Sequence, residues 1–158
     1  MIDTGQIAAD DPRANDVRAL LEQHLTFALE TTPPEHAFAL GIEGLLDPAI
    51  TFYSFRRARE LLGIGALKEH DPAFGEIKSM HTRAEARGQG VGRAMVTHLL
   101  SVARSRGYAR VSLETGTMAE FAPARALYGS FGFVPCGPFA DYKPSPDNCF
   151  MTLPLLPG

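Results

Sequence analysis

Cysteine is scarce: Cys136 and Cys149 are the only two in 158 residues, too few for a disulfide framework. Reduced thiols in the cytoplasm are the expectation, with a bond between neighbouring strands left open. No Cys/His spacing of the metal-binding kind occurs, so no metal is expected. No block of like charges occurs, and the formal net charge is only −3. The basic footprint of a general nucleic-acid binder is therefore missing. No apolar run approaches the roughly 20 residues of a membrane helix, so no membrane partner is expected. The opening segment MIDTGQIAADDPR lacks the basic start and apolar stretch of a signal peptide, which also points to the cytoplasm. What remains is an ordinary globular composition, 45% hydrophobic and 21% charged, and a length that predicts one domain over residues 1–158.

Periodicity supplies the elements. Residues 2–8 read as a short strand. The stretch DDPRANDVRALLEQHLTFALE reads as a helix, with Asp11 as cap, Pro12 in the first turn and an apolar stripe of Val17, Leu20, Leu21, Leu25 and Ala28. TTPP stops it. Residues 35–48 are ambiguous between a short helix and a loop. Strands are predicted over 50–55, 60–70 and 74–82, with RRAR (56–59) at the turn between the first two. A strongly periodic helix follows over 91–106, closed by Gly107. A strand over 108–115, a helix over 123–131 and two short strands in FVPCGPF and NCFMTLPL complete the chain. This order predicts an α/β fold with a mixed sheet rather than a repeated βαβ winding.

The stretch EARGQGVGRAMVTHLL (85–100) places three glycines at the mouth of a helix. Glycine there costs backbone entropy, so something must need bare backbone. A strand, a glycine loop and a helix N-terminus form an anion site from unpaired N–H groups and the helix dipole. Arg87 and Arg93 add charge-assisted donors. A Walker loop requires Lys followed by Ser or Thr, whereas Arg93 and Ala94 stand here. A dinucleotide fingerprint requires G-x-G-x-x-G after the first strand, and the spacing here is G-x-G-x-G after a later one. A connecting turn without a ligand is the bland alternative.

RGQGVGRAM resembles the R/Q-x-x-G-x-G/A signature of the GNAT superfamily of N-acetyltransferases, through Arg87, Gly90 and Gly92. PARALYGSFGF (123–133) resembles that superfamily's second landmark, through Ala124, Leu127, Tyr128, Gly132 and Phe133. The wider pattern is similar to a bacterial, largely uncharacterised branch. The resemblance implies a single-domain GNAT-like fold. It has a central mixed, twisted sheet with helices on both faces and two splayed strands forming a wedge for acetyl-coenzyme A (acetyl-CoA), the cosubstrate.

By the same resemblance, the cofactor is held by Met80, His81 and Thr82 on one wedge strand and by Arg87, Gly88, Gln89, Gly90, Val91, Gly92 and Arg93 in the cradle. An amide near Met80 or His81 would meet the developing oxyanion. Tyr128 matches the tyrosine that protonates the departing thiolate; without that match it reads as a core aromatic on the Ala124–Leu127–Phe131 side of its helix. Where many members carry Asn, Phe121 stands here.

Attack requires a neutral amine, so a base is sought. Glu76 is one candidate, on the strand ahead of the cradle and sharing a face in alternation with Lys78 and Met80. Glu114 is the other. A salt bridge to Lys78 or Arg110 is the structural alternative for these acids. His81 reads as a structural group or a relay. Met118, Phe121, Phe139 and Tyr142 are the expected acceptor-binding residues, and DYKPSPDN the expected lid.

The expected activity is direct transfer of an acetyl group from acetyl-CoA to a primary amine in a ternary complex. The acceptor expected is a small amine or amino acid. A protein or peptide N-acetyltransferase and a non-catalytic acyl-CoA sensor are the alternatives. A homodimer stays open beside a monomer.

Overall fold

The computed structural model describes residues 5–31 and 41–155. Residues 2–4 of the expected first strand and 35–40 of the ambiguous stretch lie outside them. Strand β1 is Gln6–Ala9 and helix α1 is Asn15–Thr31. A single-turn helix α2 (Ile42–Leu45) precedes the meander β2 (Ile50–Arg57), β3 (Glu60–Asp71) and β4 (Phe74–Thr82). Helix α3 (Val91–Ser105), β5 (Arg110–Gly116), α4 (Ala122–Ser130), β6 (Val134–Cys136) and β7 (Asn148–Pro154) follow.

The strands form one sheet in the order β1-β2-β3-β4-β5-β7-β6. Among the described residues only the β4–β5 pair is parallel. That pair is also the one that needs a crossover, which α3 supplies. Helices cover both faces. Met95, Val96, Leu99 and Ala103 of α3 and Tyr128 of α4 pack on Tyr53, Leu67, Ile77, Val111 and Leu113. Val17, Leu20 and Leu21 of α1 pack on Phe52, Ile64 and Ala66 across the sheet. Val17, Leu20 and Leu21 of the stripe read from 3.6-residue spacing are thus on the buried face of α1, with Leu25 half-buried.

Strand β5 runs Arg110–Gly116 where 108–115 is expected, and helix α1 and the first hairpin also depart from expectation. Helix α1 starts at Asn15, because Asp11 and Pro12 are used in a preceding turn. The Ala14 amide donates to the Asp11 carbonyl at 3.0 Å, and the Arg13 amide to Asp11 Oδ1 at 2.9 Å. The hairpin turn is narrower than RRAR. Arg56 and Arg57 remain in β2, and the turn is Ala58–Arg59, both at positive φ (50° and 71°). Positive φ at both residues suits the right-handed twist of a two-residue hairpin. Arg56 pairs with Asp10 at 3.0 Å and Asp16 at 2.6 Å, tying the start of α1 to the sheet.

The two cysteines face opposite sides. Cys136 lies against the cluster of Phe74, Phe139 and Phe150, whereas Cys149 packs with the α3 side. Both are free.

Candidate active site

Strands β4 and β5 run paired only from Phe74↔Arg110 to Ile77↔Leu113. Beyond that they part. The β4 side of the gap is Lys78–Thr82 and the β5 side Glu114–Gly116. The register of β4 on β3 shifts between Ala66↔Lys78 and Ile64↔His81. The extra residue is accommodated at Ser79, which has a φ of 55°. A bulge of this kind re-aims the side chains beyond it. It overturns the simple alternation expected for Glu76, Lys78 and Met80. Met80 joins the α3 face, where its Sδ lies 2.9 Å from the position of a Cβ on Gly65. His81 is turned instead to His24 of α1.

The parted strands open a cavity of about 860 Å³. At one end lies the glycine cradle. Gly90 caps α3 with a φ of 83° and without a side-chain cap, leaving the first-turn amides free to face a ligand. Gly88 also has positive φ (79°), and a Cβ on Gly88 or Gly90 would meet no protein atom within 4 Å. Arg87 and Arg93 line the same end. Arg93 is oriented by Ser130 Oγ at 2.9 Å and by the ring of Phe131. In the gap itself, Ser79 Oγ is buried with no hydrogen-bond partner among the described residues. An orphaned hydroxyl beside parted strands and a cationic amide cradle fits a pyrophosphate with a polar, extended arm.

At the other end, Glu114 stands on β5 one residue past the last pair with β4. It accepts from Asn148 Nδ2 at 2.8 Å. Burial is the largest influence on it and raises its pKa, with Asn148 and Lys78 opposing. Tyr128 reaches the cavity from α4, its ring edge-on to Phe133 with centroids 5.8 Å apart. Burial, then the charge of Glu114, holds its hydroxyl pKa well above the ordinary phenol value.

Glu76 is 2% exposed and is fully engaged. Its Oε1 is 2.7 Å from His70 Nε2. Its Oε2 accepts from Tyr142 Oη at 2.6 Å and from Lys78 Nζ at 3.1 Å. The salt bridge expected as the alternative to catalysis is therefore present, with Lys78. Arg110 instead lies over the ring of Phe74, 4.1 Å from its centroid.

The cavity brings together Glu76, Met80, His81, Thr82, Arg87, Gly88, Gly90, Val91, Gly92, Arg93, Glu114, Phe121, Tyr128 and Tyr142 of the expected site. Three expected residues are not on its wall. Gln89 turns outward, accepting from Arg57 Nη1 at 3.0 Å and donating to the Glu85 carbonyl at 3.3 Å. Phe139 is drawn into an aromatic cluster, with centroids 5.6 Å from Phe74 and 5.8 Å from Phe150. Met118 lies beside Thr117, and Arg125 Nη1 pins its carbonyl at 3.0 Å.

Sequence reasoning missed His24 and Phe27 of α1, which both line the cavity. Their spacing from Leu20, at i+4 and i+7, places them on the inward flank of the helix, the one signal that marks them. Phe27 packs edge-on to Phe121 with centroids 5.3 Å apart.

Known proteins share this architecture. The chain is 49% identical over 149 residues to the uncharacterized N-acetyltransferase YsnE of Bacillus subtilis, covering 94% of this chain and 99% of that one. It is 33% identical over 150 residues to an IAA acetyltransferase of Azospirillum brasilense, covering 94% and 97%. An acetyltransferase of Bacillus subtilis solved in complex with coenzyme A superposes with a TM-score of 0.73 at 18% identity, over 97% of this chain and 100% of that one. The family model for the acetyltransferase (GNAT) family matches residues 15–133. With the parted strands and the glycine cradle between them, this chain belongs to the GNAT family, an acyltransferase with acetyl-CoA as cosubstrate.

Proposed function

We propose that this acetyltransferase transfers the acetyl group directly to the primary amine of a small molecule, with both substrates bound at once. One observation carries the reading: a single cavity joins the cationic amide cradle to a pocket holding Glu114, Phe27 and Phe121. An acyl donor and an amine fit side by side without a covalent relay. Neither cysteine lines the cavity, so no thiol is at hand to take the acetyl group first. The relative named for acetylation of IAA supports a small-molecule acceptor.

The roles follow from the chemistry of the groups. The amides of the cradle, with Arg87 and Arg93, hold the pyrophosphate. Backbone of Met80, His81 and Thr82 and the Ser79 hydroxyl face the arm. The amide of Met80 or His81 stabilises charge on the carbonyl oxygen. Tyr128 stays protonated at neutral pH, so its hydroxyl is available to hydrogen-bond the sulfur as negative charge builds there and to hand over its proton while the carbon–sulfur bond breaks. Glu114 attracts the acceptor ammonium, while Phe121 with Phe27 flanks an apolar body. Glu76 positions Tyr142 and Lys78 rather than taking a proton, because both its oxygens are occupied.

Calorimetric titration with acetyl-CoA, followed by a thiol-release screen over alkylamines, arylalkylamines, amino acids and lysine peptides, tests this. Thiol release with a small amine and none with peptides is expected. Selective acetyl-CoA binding with release only on peptides overturns the small-molecule acceptor. Binding without release from any acceptor favours a sensor module.

A further inference from the structure

We propose that His24 and His81 act as a two-ring proton relay that removes the proton released by the acceptor amine. This rests on the amine-acetyltransferase reading of the same cavity. His24 comes from α1 and His81 from β4, 57 residues apart, and their Nδ1 atoms lie 3.2 Å from each other. The rings meet edge to face with centroids 5.1 Å apart, and both line the cavity.

The contact dictates the tautomers. A hydrogen bond between two Nδ1 atoms needs one donor and one acceptor. The donor ring carries its proton on Nδ1 and leaves Nε2 bare. The acceptor ring must then carry its proton on Nε2. A proton arriving at the bare Nε2 lets the donor ring pass its Nδ1 proton across, and the second ring releases its Nε2 proton. One proton enters and one leaves, and the pair returns after the tautomers reset.

The surroundings favour passing a proton on over keeping it. Burial pulls His24 down to about 4. Burial first, then the charges of His24 and Arg87, does the same for His81. The other charged groups on the cavity are Arg93 of α3, Glu114 on β5, Glu120 ahead of α4, and the Glu76–Lys78 pair, which is mutually compensated. Among the described residues no carboxylate is paired with either ring, so neither is built to store positive charge.

The balance closes. An ammonium that becomes an amide loses two protons. The amine nitrogen bonds to the acetyl carbon, the carbon–sulfur bond breaks, and its electron pair goes to sulfur. Sulfur takes the Tyr128 proton, and Tyr128 regains one from the reacting nitrogen. The other proton goes to solvent, and this is the one the pair carries.

The test uses His24→Asn and His81→Asn, because the Asn side chain preserves a polar group near Nδ1 but has no second nitrogen to relay through. Transfer to 2-phenylethylamine, protonated at pH 7, is compared with transfer to hydroxylamine, largely neutral there. Expected is a loss of about 100-fold in kcat with 2-phenylethylamine. The loss with hydroxylamine is at least tenfold smaller, acetyl-CoA affinity holds within about threefold, and added imidazole partly restores the rate. Equal losses for the two amines, or no loss, overturn the relay. Nitrogen-15 resonances of the wild-type histidines in the coenzyme A complex read the pair without any acceptor. One ring protonated at Nδ1 and the other at Nε2 at pH 7 is expected. Two rings titrating independently near their ordinary value overturn it. Wild-type protein that binds acetyl-CoA but transfers to neither amine fails the amine-acetyltransferase reading, and the relay falls with it; the resonances show whether the paired tautomers exist regardless.

Discussion

The Tyr142 hydroxyl donates to Glu76 Oε2 at 2.6 Å, across 66 positions of sequence. Lys78 Nζ reaches the same hydroxyl at 2.7 Å, so the loop between β6 and β7 is bolted to the sheet by a buried charged group. Glu76→Gln leaves the Lys78 ammonium without its counter-charge and is expected to cost about 3–5 kcal/mol. Tyr142→Phe, which removes one hydrogen-bonding partner, costs about 1–3 kcal/mol. Urea denaturation of both variants checks the order. A Tyr142→Phe protein as damaged as Glu76→Gln would mean the hydroxyl, not the ion pair, holds the loop.

Gly90→Glu is expected to abolish acetyl-CoA binding. Gly90 has a φ of 83° at the cap of α3, and a carboxylate there opposes an anion on the same amides. Backbone strain adds about 1–2 kcal/mol. Calorimetry in parallel with thermal unfolding separates lost binding from lost fold. Affinity unchanged in a folded variant removes the cradle from the site.

Tyr128→Phe is expected to lower kcat by about 10²-fold or more with little change in acetyl-CoA affinity. The ring packs on Phe133, and phenylalanine keeps that contact. The slower step must be chemistry, which single-turnover measurement establishes. An unchanged chemical rate returns Tyr128 to the core alone.

Acid should destabilise this protein earlier than a typical carboxylate-governed fold. His24 and His81 are pulled from 6.5 to about 4, so between those values the unfolded chain binds more protons than the folded one. Stability is therefore full above about 6.5 and falls as the pH drops towards about 4. The slope is at most about 1.4 kcal/mol per pH unit for each histidine. Asp10 and Asp16, whose pKa values are lowered by hydrogen bonds that include Arg56, act only at lower pH. Chemical denaturation from pH 7.5 to 4.5 measures the slope, and it should shrink in His24→Asn.

The glycine cradle, the strand before it and the helix after it were legible because each depends on local pattern: positive φ, period two, period 3.6. The β4 limits, Phe74–Thr82, match the expected 74–82. What escaped depended on events no local window contains. The bulge at Ser79 reverses the facing of Met80 and His81, and nothing in SMHT announces it. Phe139 was expected at the acceptor and lies among Phe74 and Phe150, since an aromatic near a site and one in a cluster look alike until the loop is placed. His24 and Phe27 were hidden by their helix: an apolar stripe was visible, but which residues on its flank reach past β4 depends on where the helix sits. The start of α1 was misread because Asp-Pro serves a turn as well as it serves a cap.

Phe74–Ile77 and Arg110–Leu113 are the spine of a half-open book. The pages are β1–β4 on one side and β5, β7 and β6 on the other. The spine is packed by Arg110 lying over Phe74 and by Tyr108 filling the place where Gly75 would carry a Cβ, 2.6 Å away. A side chain added at Gly75 has to displace the Tyr108 ring from the bound edge. The two halves of the sheet are thus held together partly by Phe74, Tyr108 and Arg110, which are off the cavity wall and outside any search for contact residues.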